Sequence, residues 1–349
     1  KSGNQSFLIV GAGPAGLILG IDLTKQGHQV TIVDKAPGPH RPVCGEYLSP
    51  EGVSYLTNLG LAETLAGFEP VWGMELFSPA AKAVRAQFPE GRNGVSLHRQ
   101  EFQLRLAAVF LGLGGKLCFG EAIESIAEDG LKITVKTSHS LRHVDGLVGA
   151  DGRSSQVAKL SGLALTSPSK NRVAVHAYLT PLRPMPRYGQ MHILRDGSYA
   201  GINPLHAKEV NFSIVCDVKI LQKHGNSRAL INHYLAETPA LSNWFAPLSH
   251  EEIKNTFPIN CERRLIARGR VALIGDASGF IDPLTGEGIT TAIKTAALLA
   301  EKISHQSSLP EAFASYARSR RKDFAQKEAL NRALQAVISR PWACELIAR

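Results

Sequence analysis

The sequence predicts an α/β chain: a mostly parallel sheet flanked by helices, an antiparallel sheet inserted into it, and a helical tail. Three stretches predict this. Phe7 to Asp34 reads as an apolar strand, a glycine turn, an apolar helix, a second strand and an acid. Gly269 to Gly288 repeats the idea far downstream, with a buried strand, an acid and a glycine-rich turn before another helix. Between them, from about 172 to 217, the apolar residues alternate and Pro and Gly separate the runs, as antiparallel strands require.

In the first stretch each part has a physical reason. Gly11 permits a tight turn, Gly13 lets backbone N–H groups approach a pyrophosphate, and Gly16 lets helix and strand pack closely, with Ala15 between. The pyrophosphate then lies at the positive end of the helix. Asp34 follows Gly16 by eighteen residues, about the spacing needed to accept hydrogen bonds from a ribose hydroxyl. A carboxylate repels a 2′-phosphate, so FAD or NAD is favoured there over NADP.

A loop, Lys35 to Pro39, leads to Arg41-Pro42-Val43-Cys44-Gly45-Glu46. Arg41, Cys44 and Glu46 either face the cofactor, or Arg41 pairs with Glu46 and Cys44 is a small apolar filler. Residues 51 to 66 read as a helix, and 71–79 with 83–88 as a β-hairpin. A helix opens near Arg99, which could reach a phosphate or lie on the surface. Strands follow at 116–119 and 131–135, and a third from Val144 enters a turn at Asp151-Gly152 and then a helix. Residues 227 to 246 read as helical. In the second organising stretch, Gly275 and Asp276 end the strand, Pro283, Gly286 and Gly288 form the turn, and Ile289 begins a helix that runs to about Ile303. Two such units suit a long ligand held at both ends: AMP on Gly11–Gly16, a ribityl chain at Asp276, a flavin ring on the Pro283–Gly288 turn. The tail from Glu311 reads as mostly helical, interrupted by Pro341, with its charges on a solvated face.

Composition excludes other classes. The chain has 349 residues and no low-complexity segment, so it can bury a large core. Its net charge of +9 suits anionic substrates or a nicotinamide cofactor, but only Arg318 to Lys322 is a basic run, which argues against nucleic-acid binding. No apolar run spans a bilayer and the first residues lack the apolar region of a signal peptide. Peripheral membrane contact by the tail is left open, without a clean apolar face to support it. Cys44, Cys118, Cys216, Cys261 and Cys344 have no metal-ligand spacing, so no metal site is expected, and dispersed thiols suggest a cytoplasmic protein.

Taken together, GAGPAG with Asp34, GADGRSS at 149–155 and the Gly269–Gly288 stretch resemble the flavoprotein family of the p-hydroxybenzoate hydroxylase fold. The resemblance implies a Rossmann-type FAD-binding domain (1–70, 95–165 and 262–305), an inserted antiparallel-sheet substrate domain (71–94 and 166–261) and C-terminal helices (306–349). It assigns FAD contacts to Arg99 and Asp151, and extends them to Lys35, Arg41, Cys44 and Gly45. Within the family, Arg41-Pro-Val-Cys44-Gly45-Glu46 resembles the geranylgeranyl reductase branch. That branch's Tyr-x-Trp-x-Phe-Pro motif corresponds here to Tyr199-Ala-Gly201-Ile-Asn203-Pro204, with Trp and Phe replaced.

The function expected is that of an FAD-dependent oxidoreductase, reduced by an external donor such as NAD(P)H and acting on a small hydrophobic, oxygenated organic substrate. One version transfers hydride to a C=C bond. The alternative captures O₂ and hydroxylates or epoxidises the substrate, and a flavin carrier without turnover is a third reading. Cys44, Glu46, Tyr199, Asn203 and Pro283 are the candidate catalytic residues. The Asn203 amide is expected either to meet a substrate oxygen or to bond neighbouring backbone.

Overall fold

The computed structural model of the chain describes residues 4–165, 171–259, 264–280 and 283–338. Cys261, Cys344 and Pro341 lie outside the described residues. The first glycine turn is as tight as its sequence demands. Gly11 has φ +110°, and a Cβ there would lie 2.3 Å from the Ala150 carbonyl oxygen. A Cβ on Gly16 would lie 2.0 Å from the Gly11 oxygen, so helix Pro14–Lys25 can seat on its strand only without one.

Around that turn a six-stranded sheet runs in the order Ala267–Arg268, Val271–Leu273, Gly146–Gly149, Ser6–Val10, Gln29–Asp34, Lys116–Phe119. It is parallel apart from the antiparallel pair at the Ala267 edge. Both faces are buried, as a parallel sheet requires. Phe7, Ile9, Ile32 and Ala272 pack against helices Pro14–Lys25, Arg99–Gly112, Gly288–His305 and Leu309–Ile338. Leu8, Val10, Val33 and Leu147 face a three-stranded antiparallel sheet, Ile123–Glu128, Ile133–Thr137 and Leu141–Val144.

The inserted sheet has seven strands, in the order Ile253–Thr256, Arg172–Leu179, Glu209–Asp217, Tyr199–His206, Tyr188–Ile193, Gly73–Phe77, Ala83–Gln87. The hairpin expected near 71–88 forms its last two strands. One face, with Val175, Ile202, Phe212 and Ile214, packs on helices from Val218–His224 to Pro239–Ser242. The other carries Ala174, Ile193, Tyr199 and Val215, packed with Leu284 of the second turn.

Three elements differ from expectation. The helix expected over 51–66 is Pro50–Asn58, then Gly60 at φ +68° breaks it before a short 3₁₀ turn at Ala62–Leu65. The helix expected over 227–246 is Ser227–Glu237 and a single turn, Pro239–Ser242, because Pro239 holds Thr238 extended. The tail is one helix, Leu309–Ile338, and it is not simply solvated. Arg320, inside the basic run, is 4% exposed.

Candidate active site

Backbone groups of the first glycine turn are held from beneath. Gln103 Nε2 donates to the Ala12 carbonyl at 2.6 Å. Asp34 Oδ2 accepts from Ala12 N at 2.7 Å and Oδ1 from Ala36 N at 2.8 Å. The acid expected to meet a ribose therefore also ties the turn to its own strand, and each oxygen keeps a further lone pair for a ligand. Gly13 faces open space bounded by Arg99, whose Nη2 lies 3.7 Å from where a Cβ would be. Arg99 Nη1 is buried and has no hydrogen-bond partner among the described residues.

The other two motifs meet this turn. Asp151 Oδ2 caps helix Gln156–Leu160, accepting from Gln156 N at 2.7 Å and Val157 N at 3.1 Å. Its Oδ1 is buried with no partner among the described residues. Gly275, at φ +55°, abuts the first helix, since a Cβ there would lie 3.0 Å from Ala15 Cβ. Asp276 is pushed up by burial and pulled down by the guanidiniums of Arg153, Arg99 and Arg264. Pro283 opens a 3₁₀ turn that Gly286 closes, its N–H donating to the Pro283 oxygen at 2.9 Å. A Cβ on Gly288, the first residue of the next helix, would meet nothing within 4 Å. Ile289 behind it is buried. An unpartnered guanidinium nitrogen, an unpartnered carboxylate oxygen and two open glycine positions around adjoining helix N-termini suit a long anionic dinucleotide such as FAD.

The Cys44–Glu46 loop is clamped between these turns and the inserted sheet. Glu46 is 1% exposed and left-handed at φ +52°. Its Oε1 accepts from Arg99 N at 2.8 Å, its Oε2 from Asn211 Nδ2 at 3.0 Å, and its carbonyl from Asn203 Nδ2 at 2.8 Å. Asn211 also donates to the Cys44 carbonyl at 2.7 Å. Ser96 Oγ donates to Asn203 Oδ1 at 2.7 Å. Both atoms of the Asn203 amide thus have protein partners, and both partners, the Glu46 carbonyl and the Ser96 hydroxyl, are distant in sequence rather than neighbouring backbone. Glu46 likewise spends its carboxylate on the Arg99 backbone N–H and Asn211, and in place of the alternative Arg41–Glu46 pairing, Arg41 lies 5.0 Å over the Tyr178 ring. Lys35 is exposed and Gly45 has nothing within 4 Å of a built Cβ. Tyr199 is buried in the apolar cluster with Leu284, under Arg172.

Cys44 sits where these charges meet. Burial pushes its thiol up, Arg99 pulls it down, and Glu46 and Asp276 push it up again. Beside it, burial and the charges of Lys254 and Arg41 bring His176 down to about 4, and its Nε2 lies 3.0 Å from Asn211 Nδ2. Burial and Glu46 push the Tyr178 hydroxyl up.

Several of these residues escaped the sequence reading. Arg264 is buried and bonds the Ala277 carbonyl at 2.8 Å and the Arg153 carbonyl, stapling the two downstream motif turns together. Tyr316 donates to the Leu273 carbonyl at 2.9 Å and Arg320 Nε to Ser278 Oγ at 2.9 Å. A signal for these two existed: Phe313, Tyr316, Arg320 and Phe324 recur at helical spacing on one buried face.

The FAD binding domain family matches residues 5–331. Menaquinone reductase of Mycobacterium tuberculosis is 28% identical over 85% of this chain and 76% of its own length. A digeranylgeranylglycerophospholipid reductase of Thermoplasma volcanium is 23% identical over 82% and 74%. An FAD-dependent monooxygenase of Sarocladium schorii is 26% identical over 85% and 75%. Among solved structures, halogenase PltM in complex with phloroglucinol and FAD shares the fold at TM-score 0.82, with 18% identity over 97% of this chain and 78% of that one. The flavin-dependent halogenase CmlS shares it at TM-score 0.80, with 20% identity over 93% of this chain, which spans 63% of the halogenase. With its glycine turns, open helix ends and unpartnered Arg99 and Asp151 atoms, the chain belongs to the FAD binding domain family, in the p-hydroxybenzoate hydroxylase fold, and is an FAD-dependent oxidoreductase.

Proposed function

We propose that the enzyme reduces a carbon–carbon double bond conjugated to oxygen in a hydrophobic organic substrate, with NAD(P)H as the external donor. The observation that carries this reading is the Cys44 thiol, pushed up by burial, in the loop clamped between the flavin turns and the inserted sheet. FAD, once reduced, supplies the hydride equivalent. Saturating the bond then needs one proton, and Cys44 Sγ is the group to give it, with Arg99 beside it to stabilise the thiolate until solvent restores the proton. Glu46, Asn203 and Asn211 position the loop. Tyr199 and Pro283 contribute to the wall where the sheet meets the second turn. Asp34, Arg99, Asp151 and the N-termini at Gly13 and Gly288 hold FAD. The menaquinone and digeranylgeranylglycerophospholipid reductases among the relatives favour this reading.

The monooxygenase relative supports a second reading, oxygen insertion into the same substrate class. The test is anaerobic NADH or NADPH oxidation by the holoenzyme with cyclohexenone as the probe. Cys44→Ser should slow product formation by about a hundredfold or more and leave FAD reduction by the donor unchanged. Equal rates of product formation in the two proteins refute the proton-donor role.

A further inference from the structure

Across the seven-stranded sheet one row of side chains runs straight through the site. Register pairs Ser213 with His176 and with Gly201, Gly201 with Met191, Met191 with Leu76, and Leu76 with Val84. Paired residues share a face. That face is the one turned to the flavin turns, since Asn203, two residues from Gly201, bonds the Glu46 carbonyl. The row changes character along its length. At one end are a buried histidine and a hydroxyl. In the middle Gly201 leaves a gap, with nothing within 4 Å of a built Cβ. At the other end Leu76 and Val84 are 43% and 47% exposed.

The outer strands reverse the usual arrangement, in which a sheet covers its apolar face and wets its polar one. Here the covered side buries polar groups: Glu75, Gln190 and His192 are all buried beside Tyr188 and Phe77, with Gln190 bonding Glu75 at 2.9 Å and His192 at 3.1 Å. The other side is apolar and continues the sheet face that carries Gly201. Exposed apolar residues aligned on neighbouring strands are not the scattered single residues of an ordinary surface.

We infer that the substrate is amphipathic: its oxygenated ring lies at the Ser213–His176 end and an apolar chain leaves over Gly201, along Met191, Leu76 and Val84. Gly201 and the three apolar residues are then specificity determinants. Three strand spacings separate Gly201 from Val84, about 14 Å, room for an extended chain of roughly ten carbons. This rests on the proposed reading of the inner sheet face as the substrate wall.

The test uses holoenzyme and three 5-alkylresorcinols, methyl, pentyl and undecyl, with binding read from the perturbed absorbance of the bound flavin. Affinity should rise along the series by about two- to fourfold for each methylene covered. Leu76→Lys with Val84→Lys should weaken the undecyl probe at least about tenfold and leave the methyl probe unchanged, because both positions are exposed and far from the ring. Gly201→Leu, which has room for its side chain, should weaken the pentyl and undecyl probes more than the methyl one. Affinity independent of chain length, or a chain-length dependence that these variants do not alter, overturns the track. If no member of the series perturbs the flavin, the substrate wall itself is refuted and the track falls with it, whereas a binding methyl probe with a flat series refutes the track alone.

Discussion

Replacing Arg99 by Leu should move two measurements in opposite directions. In the protein free of FAD, Arg99 buries a guanidinium nitrogen that has no partner among the described residues. Burial also lowers its affinity for its own proton, against the pull of Cys44, Asp276 and Glu46. A buried unsatisfied group costs about 1–3 kcal/mol, so its removal should leave the FAD-free protein as stable as before or stabilise it by up to that amount. With FAD present the same nitrogen is expected to bond a ligand oxygen. A charge-assisted bond contributes about 1.5–3 kcal/mol, so Arg99→Leu should weaken FAD by roughly ten- to more than a hundredfold. Urea unfolding of the FAD-free protein and fluorescence titration with FAD measure the two quantities separately. A destabilised FAD-free protein with unchanged FAD affinity would show that Arg99 is structural and refute the reasoning.

Three further outcomes are expected. Gly11→Ala places a Cβ 2.3 Å from the Ala150 oxygen at a left-handed residue, and should cost about 3–5 kcal/mol, seen as loss of soluble protein or of FAD. Asn203→Ala should lower the stability of the FAD-free protein by about 1–3 kcal/mol and slow turnover through the Cys44–Glu46 loop, whereas a substrate-contact role would raise KM alone. Burial holds His192 down at about 3 and His176 at about 4, so the unfolded chain takes up protons below pH 6.5 that the folded chain does not. Stability is therefore full above that pH and falls on acidification, by about 1.4 kcal/mol per pH unit for each histidine, and His192→Gln should flatten the slope seen by urea titration between pH 6.5 and 4.

The cofactor half was legible because its constraints are local. A left-handed Gly11, a Gly16 that cannot carry a Cβ and an acid at the end of the next strand all lie within one short βαβ unit. The inserted sheet was legible as strands, but its cross-strand neighbours were not. His176, Ser213 and Gly201 become neighbours only through register, which no spacing along the chain reveals. Glu46 and Asn203 stand out in the sequence, but the Asn203 side chain bonds the Glu46 loop while the Glu46 carboxylate bonds Asn211 on the next strand, and only tertiary contacts decide between holding and reacting. The sheet over 123–144 escaped in part because its outer strand, Ile123–Glu128, is largely exposed and shows little apolar alternation. Arg320 was hidden by its basic neighbours, although its partners Ser278 and Gly279 sit in the second motif.

The central claim, reduction rather than oxygenation, is tested most directly by reducing the holoenzyme without oxygen and then mixing it rapidly with oxygenated buffer, with and without a bound alkylresorcinol. The account predicts a single phase from the reduced to the oxidised flavin spectrum and no oxygen added to the recovered ligand. A third spectral species that persists and yields hydroxylated ligand would contradict it.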